Sequence, residues 1–335
     1  MTGRGPSEDA FAYHGGALDV ARRLYPHAPK PWIDLSTAVN PHPYPLPELP
    51  TEAWTRLPEA AALADLEAAA ASRYGAKRER AVAGPGSQAL IQALARLAPR
   101  GTVGVLRPSY TGHSEAFRAA SAEVAEVVSL GDLVPFRIAV VVNPNNPDGR
   151  VTHLDELLRL HERASRGGGL LIVDEAFADF GDAPSLAPAL PSEGIVILRS
   201  FGKTYGLAGL RLGFAIASPD MEEKLRKALG PWPVSGPAIA IGTKALADGW
   251  VDEMRERLGK EAARLDALLK SNGWRIVGGT RLFRLAANTD AQAAFLRLLA
   301  AGILTRPFAD AANCLRFGIP AEEAHWLRLE AALRN

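Results

Sequence analysis

The sequence of 335 residues holds a single cysteine, Cys314. No internal disulfide can form, which fits a reducing compartment, and a cytoplasmic location is expected. No run approaches 18 consecutive apolar residues, so no membrane-spanning helix is expected. Residues 1–9 are polar and lack a basic start followed by an apolar core, so no secretory signal is expected. An excess of charge of one sign is missing too: 38 Lys and Arg face 37 Asp and Glu. Nucleic acid and anionic membranes both select a strong basic excess, so neither is expected as a partner. His and Cys clusters at metal-ligand spacing are lacking, so no metal is expected. There is no repeat and no low-complexity tract.

What is present is an ordinary globular composition, 47% apolar and 22% charged, over a length that suits about two domains. Residues 10–50 are dense in proline and glycine, which favours extended, irregular backbone. Phe11, Trp32, Ile33 and Leu35 give that stretch apolar content, so it is expected to pack as an arm. Helical spacing runs over 59–73 and stops at Gly75. Short apolar runs then appear at 81–83, 102–106, 124–128, 138–142, 170–173, 195–198 and 212–217. Amphipathic stretches lie between several of them, at 88–97, 113–120 and 154–166. Strands alternating with helices predict an α/β fold, with a mostly parallel seven-stranded sheet covered by helices in a large domain. From residue 221 the pattern changes. A long helical region over 238–269, broken near Gly249, leads to a smaller α/β domain. Its strands are predicted at 275–277, 282–285, 303–304 and 315–318, with a last helix over about 322–333. The predicted division is an arm at 1–40 packing on the small domain and the active site, a large domain at 41–230 and a small domain at 231–335.

In an open parallel sheet, ligands gather beyond the carboxyl ends of the strands. Four segments fall there. Gly84-Pro85-Gly86-Ser87-Gln88 follows a strand and opens a helix, where exposed N–H groups attract an anion; Ser87 is equally suited to cap the helix. Asn143-Pro144-Asn145-Asn146-Pro147-Asp148-Gly149 reads as a rigid turn that presents an amide at a strand end. Asp174-Glu175-Ala176-Phe177 ends an apolar strand with a carboxylate that needs a partner: a cap, a metal or a ligand cation. The last segment runs from Ser200-Phe201-Gly202-Lys203-Thr204 to Arg211. A lysine just past a buried strand, crowded by small residues and followed by an arginine, suits an amine that attacks carbonyls. A surface lysine at a strand end is the plainer alternative.

In this order the four segments resemble the fold-type I pyridoxal-phosphate enzymes, in the branch of the histidinol-phosphate aminotransferases, over nearly the whole chain. Within that branch, His14-Gly15-Gly16, the segment from Trp32 to Pro41 and Pro231-Trp232-Pro233-Val234-Ser235 resemble the threonine-phosphate decarboxylases of cobalamin synthesis. The resemblance implies pyridoxal 5'-phosphate carried covalently by Lys203. It implies Ser87, Gln88, Ser200 and Arg211 on the cofactor phosphate, Tyr110 stacked on its ring, Asn146 at the ring hydroxyl and Asp174 at the protonated ring nitrogen. Arg306, Arg316, Asn146, His14, Gly15 and the backbone of Ala38 are implied for the substrate, a small phosphorylated amino acid. Pairing as a homodimer is implied as well.

Two positions depart from the aminotransferases of the branch. Phe177 stands where they usually carry tyrosine, and Arg56-Leu57-Pro58 stands for Arg-Tyr-Pro. The phenylalanine is shared with the decarboxylase-like proteins. The expected activity is therefore decarboxylation of O-phospho-L-threonine. The alternatives are a histidinol-phosphate or aromatic aminotransferase, and a silent scaffold that keeps the fold.

Overall fold

The computed structural model describes Phe11 and residues 14–334; the polar stretch at residues 1–9 lies outside the described residues. The chain forms two compact units. One comprises residues 43–146 and 150–254, and the other residues 1–42, 147–149 and 255–335. The arm begins the second, smaller unit with helix α1 (Leu18–Leu24) and strand β1 (Ile33–Asp34).

The large unit carries the seven-stranded sheet. Its strands are β2 (Ala81–Gly84), β3 (Val103–Leu106), β4 (Val124–Val127), β5 (Ile138–Val142), β6 (Leu170–Asp174), β7 (Ile195–Ser200) and β8 (Gly213–Ala217), in the order β2-β8-β7-β6-β5-β3-β4. All are parallel except β8, which runs antiparallel to both of its neighbours. The central strands are buried on both faces, which is why they read as continuous apolar runs rather than alternating ones. Alternate residues still divide by face: Val103, Val105, Ile138, Val140, Leu170, Ile172, Val196, Leu198, Ala215 and Ala217 share one cluster with Leu90, Ile91, Leu94, Phe117 and Leu225. Those partners sit on α3 (Ser87–Leu97), α4 (Thr111–Ala119) and α6 (Pro219–Leu229). Each fully buried aliphatic side chain there contributes about 1.5–3 kcal/mol, so this face alone commits the sheet to its register.

Before the sheet, α2 (Ala60–Tyr74) ends at Gly75, which takes the left-handed conformation at φ 70° and returns its N–H to the last turn. On the far side of the sheet, α5 (Leu154–Ser165) is closed at its start by a reciprocal pair between His153 and Glu156. After α6 come α7 (Gly236–Ala247) and the long α8 (Trp250–Ser271). Ser235 caps α7 by accepting the Ala238 N–H at 3.4 Å. Gly242 of α7 lies so close to Leu66 and Leu212 that a Cβ would meet their methyl groups. That close approach ties α7 to α2. The large unit consequently extends through Met254, whereas the sequence placed its end at residue 230.

The rest of α8 belongs to the small unit, and Leu258, Ala262, Leu265 and Leu269 form its buried stripe at helical spacing. Strands β9 (Arg275–Thr280), β10 (Phe283–Ala287), β12 (Arg306–Pro307) and β13 (Cys314–Gly318) make an antiparallel sheet in the order β12-β13-β10-β9. Helices α9 (Ala291–Ala300) and α10 (Glu323–Arg334) complete the unit. The arm is bound into it. β1 pairs in parallel with β11 (Ile303–Leu304), Phe11 meets Phe295 edge to face at 5.6 Å, and the Leu35 carbonyl accepts the Gly318 N–H at 2.7 Å. Among the described residues, no helix is long and apolar enough to cross a membrane.

Candidate active site

Within the large unit, the carboxyl ends of four parallel strands supply the first part of the site. Gly84, Ser200 and Gly213 lie at one level of the sheet, since β8 pairs Gly213 with both Gly84 and Ser200. Gly86, at φ 84°, opens α3. A Cβ there would come within 2.6 Å of the Arg211 guanidinium, and a Cβ on Gly213 within 2.5 Å of the Ser87 nitrogen. Two glycines thus let an arginine and a helix start converge. Arg211 itself takes a left-handed turn at φ 54°, with Nη1 donating to the Ala208 carbonyl at 3.1 Å. Unpaired N–H groups of a first helical turn beside a guanidinium form an anion seat.

Tyr110 stands at the start of α4 and donates its hydroxyl to Gln88 Oε1 at 2.8 Å, linking the β3 end to that helix start. The ring is pinned, because a Cβ on Gly112 would run into it. Next to it lies His113, 6.0 Å from the Tyr110 ring centre and at a steep angle. His113 Nε2 meets Asp174 Oδ2 at 2.9 Å, with both side chains buried. The other oxygen of Asp174 accepts the Ala176 N–H at 3.0 Å. Burial alone would push the Asp174 carboxyl up. The His113 hydrogen bond and charge, the Lys203 charge and the Ala176 N–H together hold it below its usual range. A buried carboxylate kept ionised is a partner for a ligand cation.

The turn after β5 carries three asparagines, and the structure separates their tasks. Asn143 exchanges both amide groups with the backbone of Thr152, and Asn145 donates to the Pro108 carbonyl at 2.7 Å. Those two fix the turn and tie it to the Pro108-Ser109-Tyr110 segment. Asn146 is half-buried beside them.

Lys203 lies in a single-turn helix, Phe201–Thr204, directly after β7. Its Nζ sits 4.5 Å from the centre of the Phe177 ring. The turn is anchored from below. Thr204 donates its hydroxyl to Asp179, and Arg199 bridges Asp179 and Glu175, the latter at 2.6 Å. The Arg199 guanidinium also covers the Tyr74 ring at 4.4 Å. Burial works against the Arg199 charge, but the two carboxylates outweigh it and hold its proton more tightly than usual.

In the small unit, Arg306 and Arg316 are direct cross-strand partners in β12 and β13. Arg316 is only 4% exposed and donates from Nη2 to the Ser36 carbonyl at 2.5 Å. Burial and the like charge of Arg306 pull its proton affinity down to about 9, against the opposing pull of Asp34. Like charges placed directly opposite each other on a sheet destabilise it, so the pair is suited to a bound anion. The arm closes round the same place. Asp34 accepts the Ser36 hydroxyl at 2.6 Å, Ser36 Oγ accepts the Gly16 N–H at 2.8 Å, and Gly15 lies against the Ser36 carbonyl, where a side chain has no room. Ala38 is buried with a left-handed φ of 53°, and His14 is half-buried.

The structure therefore gathers Ser87, Gln88, Tyr110, Asp174, Ser200, Lys203 and Arg211 at adjoining strand ends of the large unit, with Asn146 on the neighbouring turn. It gathers Gly15, Ala38, Arg306 and Arg316 in the small unit. Leu57 is exposed at 65%. Among the described residues, no group of three or more His, Cys, Asp or Glu could hold a metal ion. Sequence reasoning missed His113 and the layer formed by Arg199, Glu175, Asp179 and Thr204. His113 looked like one residue of an amphipathic stretch, and its partner lies 61 positions away. Arg199 gave a usable signal: a charge inside an otherwise apolar strand requires buried counter-charges.

Comparison with known proteins agrees with this architecture. The family described as aminotransferase class I and II matches residues 43–329. A protein from Pseudomonas aeruginosa named threonine-phosphate decarboxylase is 46% identical over 325 residues, covering 96% of each chain. One of the same name from a Sinorhizobium species is 40% identical and covers 96% of this chain and 97% of that one. The solved structure of the histidinol-phosphate aminotransferase from Sinorhizobium meliloti, in complex with pyridoxal-5'-phosphate, superposes with a TM-score of 0.82. It covers 100% of this chain and 97% of that one at 20% identity, a likeness of fold alone. The chain belongs to the aminotransferase class I and II family.

Proposed function

We propose that this chain is a pyridoxal-phosphate-dependent decarboxylase that converts O-phospho-L-threonine to 1-amino-2-propanol O-2-phosphate and carbon dioxide, a step of cobalamin biosynthesis. The single observation that carries the reading is the likeness, along nearly the whole chain, to two proteins named for that reaction. The geometry supports it from two sides. A helix start beside Arg211 fits a cofactor phosphate, with Ser87, Gln88 and Ser200 as further contacts. The ionised Asp174 fits a protonated pyridine nitrogen, and Tyr110 offers a pinned ring for stacking. Asn146 would reach the ring hydroxyl, and Lys203 would form the covalent link.

When bound, pyridoxal phosphate supplies the electron sink that accepts the bond pair left as the carboxylate departs. The chain's own residues orient the substrate and move protons. Arg306 and Arg316 bind two anions on one molecule, which suits an amino acid carrying both carboxylate and phosphate. Asn146, His14, Gly15 and the Ala38 backbone complete the substrate contacts. The anion contacts would fix the orientation of the substrate carboxylate and so favour its departure. Lys203 would be the group that gives a proton to Cα.

The finer statements are proposals as well. The arm at residues 1–40 shapes the substrate pocket. The protein works as a homodimer, since Trp54 and Trp232 of the large unit stand 68% and 56% exposed and call for cover. It works in the cytoplasm, in keeping with its single cysteine. The test is the purified protein loaded with cofactor. Phosphothreonine alone should yield carbon dioxide and the amine, and histidinol phosphate with 2-oxoglutarate should yield nothing. A strict need for the keto acid would overturn the proposal, and Lys203→Ala should lose both turnover and borohydride labelling.

A further inference from the structure

The two arginines of the small unit share one face of its sheet, and each has an aromatic ring beside it. Register places them there. Arg306 is opposite Arg316, Arg316 opposite Leu285, Cys314 opposite Ala287 and Gly318 opposite Phe283. Side chains directly opposite each other on an antiparallel pair point to the same face. The Arg316 guanidinium lies 5.2 Å from the centre of the buried Phe283 ring. The Arg306 guanidinium lies 5.4 Å from the centre of the Phe308 ring. Phe308 follows Arg306 by two positions, the spacing that returns an extended chain to the same face. Its ring is half-buried and packs on Leu285, Ala287 and Cys314, with Ala311 alongside. The ring therefore rests on an apolar floor, and the guanidinium meets it from the other side.

Two like charges on one face repel. An aromatic face attracts a cation within about 6 Å. Unlike a carboxylate, it carries no net charge that would cancel the guanidinium's. It steadies an arginine and leaves the positive charge to act on a ligand. We propose that Phe308 is a positioning residue whose ring holds the Arg306 guanidinium where, together with Arg316, it meets a substrate carrying two anions. The presence of that substrate rests on the function proposed above; the hold on Arg306 does not. The ring acts through the guanidinium, so losing the ring matters only while the guanidinium is there. That separates the role from simple filling of the apolar floor, which Phe308 would serve with or without Arg306.

The experiment measures binding with turnover stopped. Full-length holoenzyme is reduced with borohydride, which fixes the cofactor and keeps the anion seat of the large unit filled. Phosphothreonine is then titrated in by calorimetry. Phe308→Leu, which removes the aromatic face, should raise the dissociation constant about 2- to 5-fold, the range of a partly exposed cation–π contact. Phe308→Tyr, which keeps the face, should stay near wild type. Arg306→Met should weaken binding more than Phe308→Leu does, and adding Phe308→Leu to it should change nothing further. An unchanged dissociation constant in Phe308→Leu would overturn the proposal, as would equal losses in Phe308→Leu and Phe308→Tyr. A loss of the same size in the Arg306→Met background would leave Phe308 a packing residue only. If Arg306→Met itself leaves binding unchanged, the proposal falls, whether or not wild type releases carbon dioxide from phosphothreonine. Should wild type release none while the loss in Phe308→Leu still requires Arg306, the decarboxylase reading fails and the hold on Arg306 stands.

Discussion

In the large unit, Arg211 rests against a helix start and remains exposed, held by its own backbone turn and by the space two glycines leave. In the small unit, Arg316 is sealed away across from a second cation. Both are places for an anion, but they stand at different free energies without one. The first is assembled from groups that water can still solvate. In the second, the Ser36 carbonyl and the charge of Asp34 offset only part of the cost of burial and like charge, so an anion bound there would relieve more of it. A cofactor that stays bound suits the first arrangement. In the function proposed above, a substrate carrying two anions would suit the second, since two guanidinium groups favour a molecule with both.

The contrast can be broken most forcefully at Arg316. Arg316→Met should reduce kcat/KM for phosphothreonine by about 10² to 10³-fold, in line with roughly 2–5 kcal/mol for a buried charged contact. The same variant should raise the melting temperature of ligand-free protein, because a desolvated charge facing Arg306 is removed. A fall in melting temperature would place the two seats on the same footing. The proton linkage has a definite sign. The folded-state value for Arg316 of about 9 lies below the ordinary one. Its cost is full below about pH 9, and stability recovers as pH rises above that, where the unfolded chain binds more protons.

A smaller effect is expected at the other seat. Arg211→Met should weaken cofactor retention by about 10-fold, the order of one charge-assisted hydrogen bond of 1.5–3 kcal/mol, with little change in the melting temperature of cofactor-free protein. Equilibrium dialysis and calorimetry separate the two. Gly86→Ala sharpens the same point through the backbone. At φ 84° and with the guanidinium 2.6 Å from the new Cβ, it should cost about 1 kcal/mol or more of stability and displace Arg211. The smallest effect concerns acid. Asp174 has a depressed folded-state value, so its contribution is present above the ordinary carboxylate range and is lost as pH falls through the folded one. His113→Phe should therefore shift the acid unfolding midpoint upward by a few tenths of a pH unit, read by circular dichroism.

The inner strands of the main sheet were legible because strands buried on both faces must be apolar throughout, and each is bounded by turn residues. Ile138–Val142 and Leu170–Asp174 show this well. Strand β12 was not legible: Arg306–Pro307 is two residues long, too short for any periodicity, and exists because β13 offers it an edge. The large unit runs to Met254 rather than residue 230 because Gly242 packs on Leu66, a contact between helices far apart in sequence that leaves no local trace. The candidate site divides the same way. Lys203, Asp174 and the Gly86 turn announce themselves by sitting at strand ends. His113 does not, since what distinguishes it is a partner on another strand.

The support under the lysine-bearing turn has a practical side. Because Thr204 is tethered to Asp179 and Asp179 to Arg199, the peptide chain around position 203 is held by buried hydrogen bonds, and the four-carbon stem of Lys203 extends from it. Protein engineers who wish to retune the chemistry here can alter what the tip of that stem encounters and leave its mounting intact.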